Sequence, residues 1–576
     1  MPPTDKRATS EAGKLTRWLD PVAPGNFRER LRPAMFLVFL GILVFLFLMP
    51  LFTAPFESDQ GAYATVARGW IGGSIPYRDL WDNKGPLLFL WYVLSFALFG
   101  QNQEAPRIVA ALAAGASIPF LWAAVRNLFD RHAALVAAVI FALSFSNIFL
   151  QVTANSEVFM LLPLTAGFWA FAVGVQKQRY SWLLWSGILT SLAVFTRQSA
   201  ILTFFAYLAW LAMTGVQRRN DGNQQPIWAA GSLLAGGVLG ACPFVIYFAL
   251  HGALHDLWYA TLWFNAGFMA EQSFWLKFVP PFFVEPGPLA GGLIFWILAI
   301  VGFRELWRRQ DGPAWLVIFF LMMSEAAAQI VGKGSAHYCI HLLPGGAIAA
   351  VFGITCLRNH WRSGGLALRV ALVAATGVTA IALLFAYGRP TAAARFKAQY
   401  MFRDYANDTV DAPAIASAVA ARSAAGDCVY EWGRTSQIYF LSDRQPCTRW
   451  FYDRPYELRK SMISEVVADL QKRKPTVIML TTEVPAPLEL SRLIEEDYRF
   501  DGQVKFAKLY VPLDRTAAQG GRSSPSADGH PGTMKCHCWR SEESCSGSGA
   551  PPQRGQGEIS RFARNDSAFS MRHPRS

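Results

Sequence analysis

Apolar stretches of roughly 17 to 25 residues recur from about residue 34 to 388, and that is the length a helix needs to cross the hydrocarbon core of a bilayer. The composition agrees. Of 576 residues 53% are hydrophobic and only 16% charged, and 20 Trp with 43 Phe exceed what a soluble domain of this length usually hides. A large soluble enzyme is therefore not expected; a polytopic α-helical membrane protein is. The formal charge of +13 does not point to nucleic acid, because many basic residues lie in short connections between apolar runs and in the two termini. That is the pattern of the positive-inside rule.

Candidate spans lie near 35–52, 86–100, 107–126, 133–150, 157–175, 182–196, 198–215, 227–250, 287–306, 313–332, 337–357 and 367–388. Residues 1–33 are polar, carry seven Lys and Arg, and are followed by the first span with no small-residue cleavage site, so they read as a cytoplasmic N-terminal segment. Basic connections at 126–131, 177–179, 218–219, 304–309 and 358–362 belong on the same side. The loops 150–156, 251–286 and 333–336, with everything beyond 388, then face the opposite side. A cytoplasmic start and a far-side end need an odd number of crossings, whereas twelve segments are counted; 11 to 13 crossings are expected, with 86–100 the shortest segment. The loops 55–85 and 251–286 are rich in aromatics and read as juxtamembrane helices.

Two further divisions follow the transmembrane region 34–388, which includes the far-side loop 55–85. Residues 389–515 have the composition of a small soluble domain. DCVYEWG (427–433) reads as a strand, QIYFLSD (437–443) as a short apolar element, SMISEVVADLQKRK (461–474) as an amphipathic helix and PTVIMLTT (475–482) as a buried strand, an α/β pattern. Cys428 and Cys447 fall on the side inferred to be oxidising, where a disulfide and two free thiols are both open readings. The stretch 516–576, rich in Ser, Gly, Arg and Pro, has no hydrophobic period and is expected to be disordered. Its Cys536, His537, Cys538 and Cys545 match no common zinc spacing.

No phosphate loop and no dinucleotide fingerprint is present, so a cytosolic nucleotide donor is not expected. The informative segment is ESDQGAYATVARGWIGGSIPYRDLWDNKGPLLFLW (57–91), which sets Glu57, Asp59, Arg68, Asp79, Asp82 and Lys84 against the mouth of a helix bundle. Charge in such a place is costly and therefore informative.

Asp59-Gln60 with Tyr63 four residues after the Asp, then ATVARGW, IPYRD and DNKGPL, resembles the bacterial membrane glycosyltransferases of the protein O-mannosyltransferase and aminoarabinose transferase superfamily. The resemblance continues in NSEVF (155–159), FTRQSA (195–200) and AHYCIHLLP (336–344), and covers about 35–388. The family commonly has Asp-Glu where this chain has Asp59-Gln60, and Lys-Pro-Pro where it has Lys84-Gly85-Pro86, so a role needing two adjacent carboxylates is not carried over. The resemblance implies a GT-C fold of about 11–13 transmembrane helices with a C-terminal periplasmic α/β domain, in the bacterial inner (plasma) membrane. It implies transfer of a monosaccharide from a polyprenyl-phosphate sugar donor to a glycan, lipid or protein acceptor of the cell envelope, on the periplasmic face.

Such a reaction needs a carboxylate to orient or deprotonate the acceptor hydroxyl and cations to stabilise the phosphate leaving group. By the resemblance, Asp59 is the base and Glu157 a second catalytic candidate, while Lys84, Arg68, His337 and Tyr338 are the donor-phosphate candidates. Each has a plainer reading: Asp59 as a helix cap, Lys84 snorkelling at a span end, Arg68 on lipid headgroups, Glu157 as a cap, His337 as a hydrogen-bonded structural residue. His341 is expected to pack inside the bundle. No cofactor is expected; a divalent metal held by Glu57 and Asp59 stays open as an alternative, although oxygen-rich sites usually need more ligands than this pair offers. The partners implied are the lipid-linked donor, the acceptor and membrane lipids, with no nucleic acid. Two other classes fit the bare span pattern: a secondary transporter, for which Glu325 inside a span speaks, and a non-catalytic lipid-binding protein of envelope assembly.

Overall fold

The computed structural model describes residues 27–218, 225–360, 366–399, 406–482 and 484–513. Each of the twelve apolar segments is helical, as bilayer physics requires when every backbone polar group must be satisfied within its own segment. In chain order the first nine helices are α1 (Phe27–Leu48), α2 (Ser58–Ile71), α3 (Pro86–Phe99), α4 (Glu104–Leu128), α5 (Arg131–Ser144), α6 (Ser156–Lys177), α7 (Tyr180–Thr196), α8 (Leu202–Arg218) and α9 (Gln225–Leu250). The helix Leu254–Trp258 (α10) runs through a π turn into Phe264–Glu271 (α11). Then come α12 (Leu293–Arg309), α13 (Gly312–Gln329), a 3-10 helix at Ala336–Leu342, α14 (Leu343–His360) and α15 (Leu366–Tyr387).

Eight helices among the described residues are long and apolar enough to cross a membrane, and three more are apolar but shorter. Segment 86–100 is not alone in being short. Both α3 and α5 have 14 residues, about 21 Å at 1.5 Å per residue, less than the roughly 30 Å of a hydrocarbon core. The bundle is held by close pairings of α7 with α9, α12 with α14, and α6 with both α4 and α7.

The C-terminal region is an α/β unit. Helix α16 (Ala406–Arg422) leads into β1 (Cys428–Trp432), α17 (Gln437–Ser442), β2 (Gln445–Pro446), α18 (Met462–Arg473), β3 (Ile478–Leu480), α19 (Leu488–Asp497) and the hairpin β4 (Tyr498–Val504) and β5 (Ala507–Pro512). The sheet order is β2-β1-β3-β5-β4, with β1 parallel to both its neighbours and the last two strands antiparallel. The expected strand, short element, helix and strand are all found; the hairpin was not foreseen. Cys428 and Cys447 form a disulfide tying β1 to the segment after β2. The tail 516–576, with Cys536, His537, Cys538 and Cys545, lies outside the described residues, as do residues 1–26.

This domain does not stand apart from the bundle. Ser436 donates its hydroxyl to the Ser58 carbonyl at 2.7 Å, and the Ser58 hydroxyl in turn contacts the Arg434 carbonyl. Trp81 packs its ring on Trp450 and Tyr452 and donates its backbone N–H to the Arg449 carbonyl at 3.0 Å. Loop 55–85 is thus clamped between bundle and sheet domain. The helix expected in it exists as α2, but its residues 60–67 are buried in protein contacts.

Candidate active site

The start of α2 meets the carboxyl end of β1, the edge of a parallel sheet at which ligands characteristically bind. Glu57 is the N-cap residue, Ser58 opens the helix and Asp59 lies in its first turn. Asp59 is therefore not the cap. No described residue donates a hydrogen bond to its carboxylate. Burial raises its pKa, but the combined field of Lys84, Arg454, His337 and Lys333 outweighs burial and draws it down to about 2. Glu57, two residues earlier, is buried and accepts from the Gln60 amide at 2.9 Å.

Lys84 reaches this place through a tight local structure. Its backbone N–H donates to Asp82 Oδ1 at 2.9 Å, and its carbonyl accepts from the Tyr77 hydroxyl at 2.7 Å. The ammonium lies 5.9 Å from the Tyr63 ring centre. Gly85 then begins the approach to α3; a Cβ there would sit 2.0 Å from the Phe195 carbonyl oxygen, so this chain has no room for the family's proline. Asp82, which carried no sequence-based assignment, also accepts from Tyr452 of the C-terminal domain at 3.2 Å. Burial pushes its carboxyl up to about 6, against the pull of Lys84.

A second polar cluster lies beside the first. Glu157, in the first turn of α6, is ion-paired with Arg197 and hydrogen-bonded by Ser156 at 2.9 Å. His337 Nε2 lies 3.5 Å from Glu157, its Nδ1 lies 3.1 Å from Gln151, and Tyr338 stacks under the Arg197 guanidinium at 4.6 Å. The structure brings Asp59, Lys84, Glu157, His337 and Tyr338 into one region, together with Arg197, which the sequence alone does not single out. Arg197 lies in FTRQSA, and it is the partner that offsets the cost of burying Glu157. His341 is buried within the bundle, as expected.

Arg68 is not brought to this region. Nine residues along α2 from Asp59, its guanidinium bonds Asp443 at 2.8 Å and the carbonyls of Tyr439, Phe440 and Arg444. An arginine presents its N–H donors in a rigid fork, and the four on Nη1 and Nη2 are taken by Asp443 and the carbonyls around the end of α17; Arg68 fastens the domain to α2. Two cations the sequence reading passed over are present instead. Lys333 stands in the loop before the 3-10 helix, and Arg454 comes from the C-terminal domain; both act on Asp59. Among the described residues no group of three or more His, Cys, Asp or Glu is arranged to hold a metal ion.

This architecture, a many-helix bundle whose mouth is closed by a small sheet domain over a carboxylate set among cations, defines a class of multi-pass membrane protein. The family model described as dolichyl-phosphate-mannose-protein mannosyltransferase matches residues 83–247. The crystal structure of ArnT from Cupriavidus metallidurans bound to undecaprenyl phosphate is similar with a TM-score of 0.52 at 14% identity, over 83% of this chain and 97% of that one. The oligosaccharyltransferase of Archaeoglobus fulgidus, tethered to an acceptor peptide, gives a TM-score of 0.43 at 12% identity over 77% of this chain and 69% of that one. No curated protein sequence matches. The chain has the GT-C fold, shared with the ArnT structure over most of both chains, and its residues 83–247 carry the match to the mannosyltransferase family model.

Proposed function

We propose that this protein is a membrane glycosyltransferase that moves a monosaccharide from a polyprenyl-phosphate donor to a glycan, lipid or protein acceptor of the cell envelope. The single observation that carries this reading is Asp59: a carboxylate that no described side chain hydrogen-bonds, in the field of Lys84, Lys333, Arg454 and His337. An acceptor hydroxyl fits the carboxylate, and a phosphate fits the cations. In the donor-free state the cations make Asp59 a weak base. A bound phosphate cancels part of their field, which raises the basicity of Asp59 when, and only when, the donor is in place. The acceptor oxygen then forms its bond to the anomeric carbon as the bond to the phosphate oxygen breaks; the proton passes to Asp59 and the electron pair stays on the phosphate. Such in-line attack inverts the anomeric centre.

Glu157, neutralised by Arg197, is placed to orient a substrate rather than to take its proton. The transporter reading gains nothing here, since the ionisable cluster lies at helix ends and Glu325 faces Gln329 one turn along its own helix. The matching of ArnT bound to undecaprenyl phosphate supports a lipid-linked donor. By the positive-inside rule the site faces the periplasm of a bacterial inner membrane. Purified protein should transfer labelled sugar from a synthetic polyprenyl-phosphate sugar, and a reporter fused near residue 420 should be active only outside the cytoplasm. Absence of donor consumption with every acceptor class in a membrane extract would overturn the reading.

A further inference from the structure

Lys333 lies between Gly332 and Gly334, whose φ values of +73° and +62° are in the left-handed region that side-chain-bearing residues rarely adopt. A Cβ on Gly334 would also meet Val284 at 2.5 Å. The loop is therefore held in a form that presents one lysine. Its ammonium lies 4.5 Å from the Phe268 ring centre, and the Arg454 guanidinium lies 6.0 Å from the same ring. Two half-buried like charges thus share one aromatic ring. The carboxylates beside Arg454 in sequence are already engaged: Asp453, at 2.9 Å, and Glu457 both pair with Arg434. Neither Lys333 nor Arg454 makes an ion pair with a described carboxylate. Burial and the neighbouring Arg454 hold the Lys333 ammonium down at a pKa of about 7, despite Asp59 and Glu457. Like charges brought together out of water are costly unless an anion joins them.

We propose that Lys333 and Arg454 form the second half of the donor-phosphate site, so that the lipid-linked phosphate is gripped by Lys84 on one side and by this pair on the other. The C-terminal domain then supplies a substrate-binding residue. The inference rests on the reading of the site as a lipid-phosphate transferase. The donor is a phosphodiester of charge −1, and its departure leaves a monoester that tends toward −2. One lysine matches the first charge; the second finds its partner in the Lys333–Arg454 pair.

The probe is undecaprenyl phosphate, with neutral undecaprenol as the control, binding to the full-length protein in detergent. Lys333→Gln and Arg454→Gln should each weaken the phosphate lipid by tenfold or more, the usual loss for a charge-assisted contact, and leave undecaprenol binding unchanged. Lys333→Arg and Arg454→Lys should recover most of the loss, which a merely misfolded variant would not do. Inorganic phosphate in excess should displace the lipid poorly. If wild type binds the phosphate lipid and Lys84→Ala weakens it while both Gln variants bind as wild type does, the proposal fails and the transferase reading stands. Equal displacement by inorganic phosphate overturns the assignment to a lipid. No preference of wild type for the phosphate over the alcohol overturns both readings.

Discussion

The Tyr452 hydroxyl donates to Asp82 at 3.2 Å, joining the C-terminal domain to the loop that carries Lys84. Because the other oxygen of Asp82 accepts the Lys84 backbone N–H, this contact fixes where the lysine starts. Asp82→Ala should raise the donor KM more than it lowers kcat, because it releases Lys84 without touching Asp59, and Tyr452→Phe should do the same more mildly. Steady-state kinetics with a polyprenyl-phosphate sugar separates the two constants.

Asp59→Asn keeps the shape of the side chain and removes the base. Turnover should fall by about two to four orders of magnitude, while donor binding holds or tightens because a negative charge has left the cation cluster. The measurement is transfer of radiolabelled sugar alongside separate binding of the donor. Should the variant keep more than about a tenth of wild-type turnover, Asp59 is not the base and Glu157 is examined next.

Lys84→Ala should weaken donor binding and slow loss of the phosphate together, since the charge it removes acts in both the ground state and the transition state. A variant with normal kcat and raised KM would restrict the lysine to binding.

Arg68→Ala should behave in the opposite manner. Its bonds go to Asp443 and to backbone carbonyls of the sheet domain, so thermal stability should drop while undecaprenyl phosphate binding by the folded fraction is unchanged. Loss of binding at unchanged stability would return Arg68 to the phosphate site.

Glu431 is buried in the sheet domain, accepting from Thr481 and from the Thr435 N–H at 2.6 Å, and burial pushes its carboxyl up to about 8 from 4.5. A raised folded-state pKa means the protonated acid is favoured by folding. The associated stability is fully present below pH 4.5 and is lost as pH rises toward about 8. Melting temperature should thus fall between pH 5 and 8 in wild type, and this fall should flatten in Glu431→Gln. An equal slope in the variant would assign the dependence to another group.

The sequence revealed the spans because lipid enforces long apolar runs, and all twelve proved helical. Asp59 and Lys84 were legible because they stand in a dense local motif. Arg197, Lys333 and Arg454 were not: each is a single basic residue whose meaning depends on a partner far along the chain. Lys333 did carry a signal, two glycines flanking a lone lysine before a span, a pattern whose weight shows only when the φ values are known. Arg454 carried none, since Asp453 and Glu457 beside it suggest a neutral surface pair, and only the fold shows that Arg434 takes both.

The clamping of loop 55–85 beneath the sheet domain also sets an order of assembly. Asp59 and Lys84 leave the ribosome several hundred residues before the partners of their loop, Tyr452 and Arg454. Until β1 and the chain after β2, tied together by the Cys428–Cys447 disulfide, have folded, the early half of the site has neither its lid nor its distal cations. On the proposed function, a nascent chain threaded into the membrane is catalytically silent until its sheet domain has folded onto that loop.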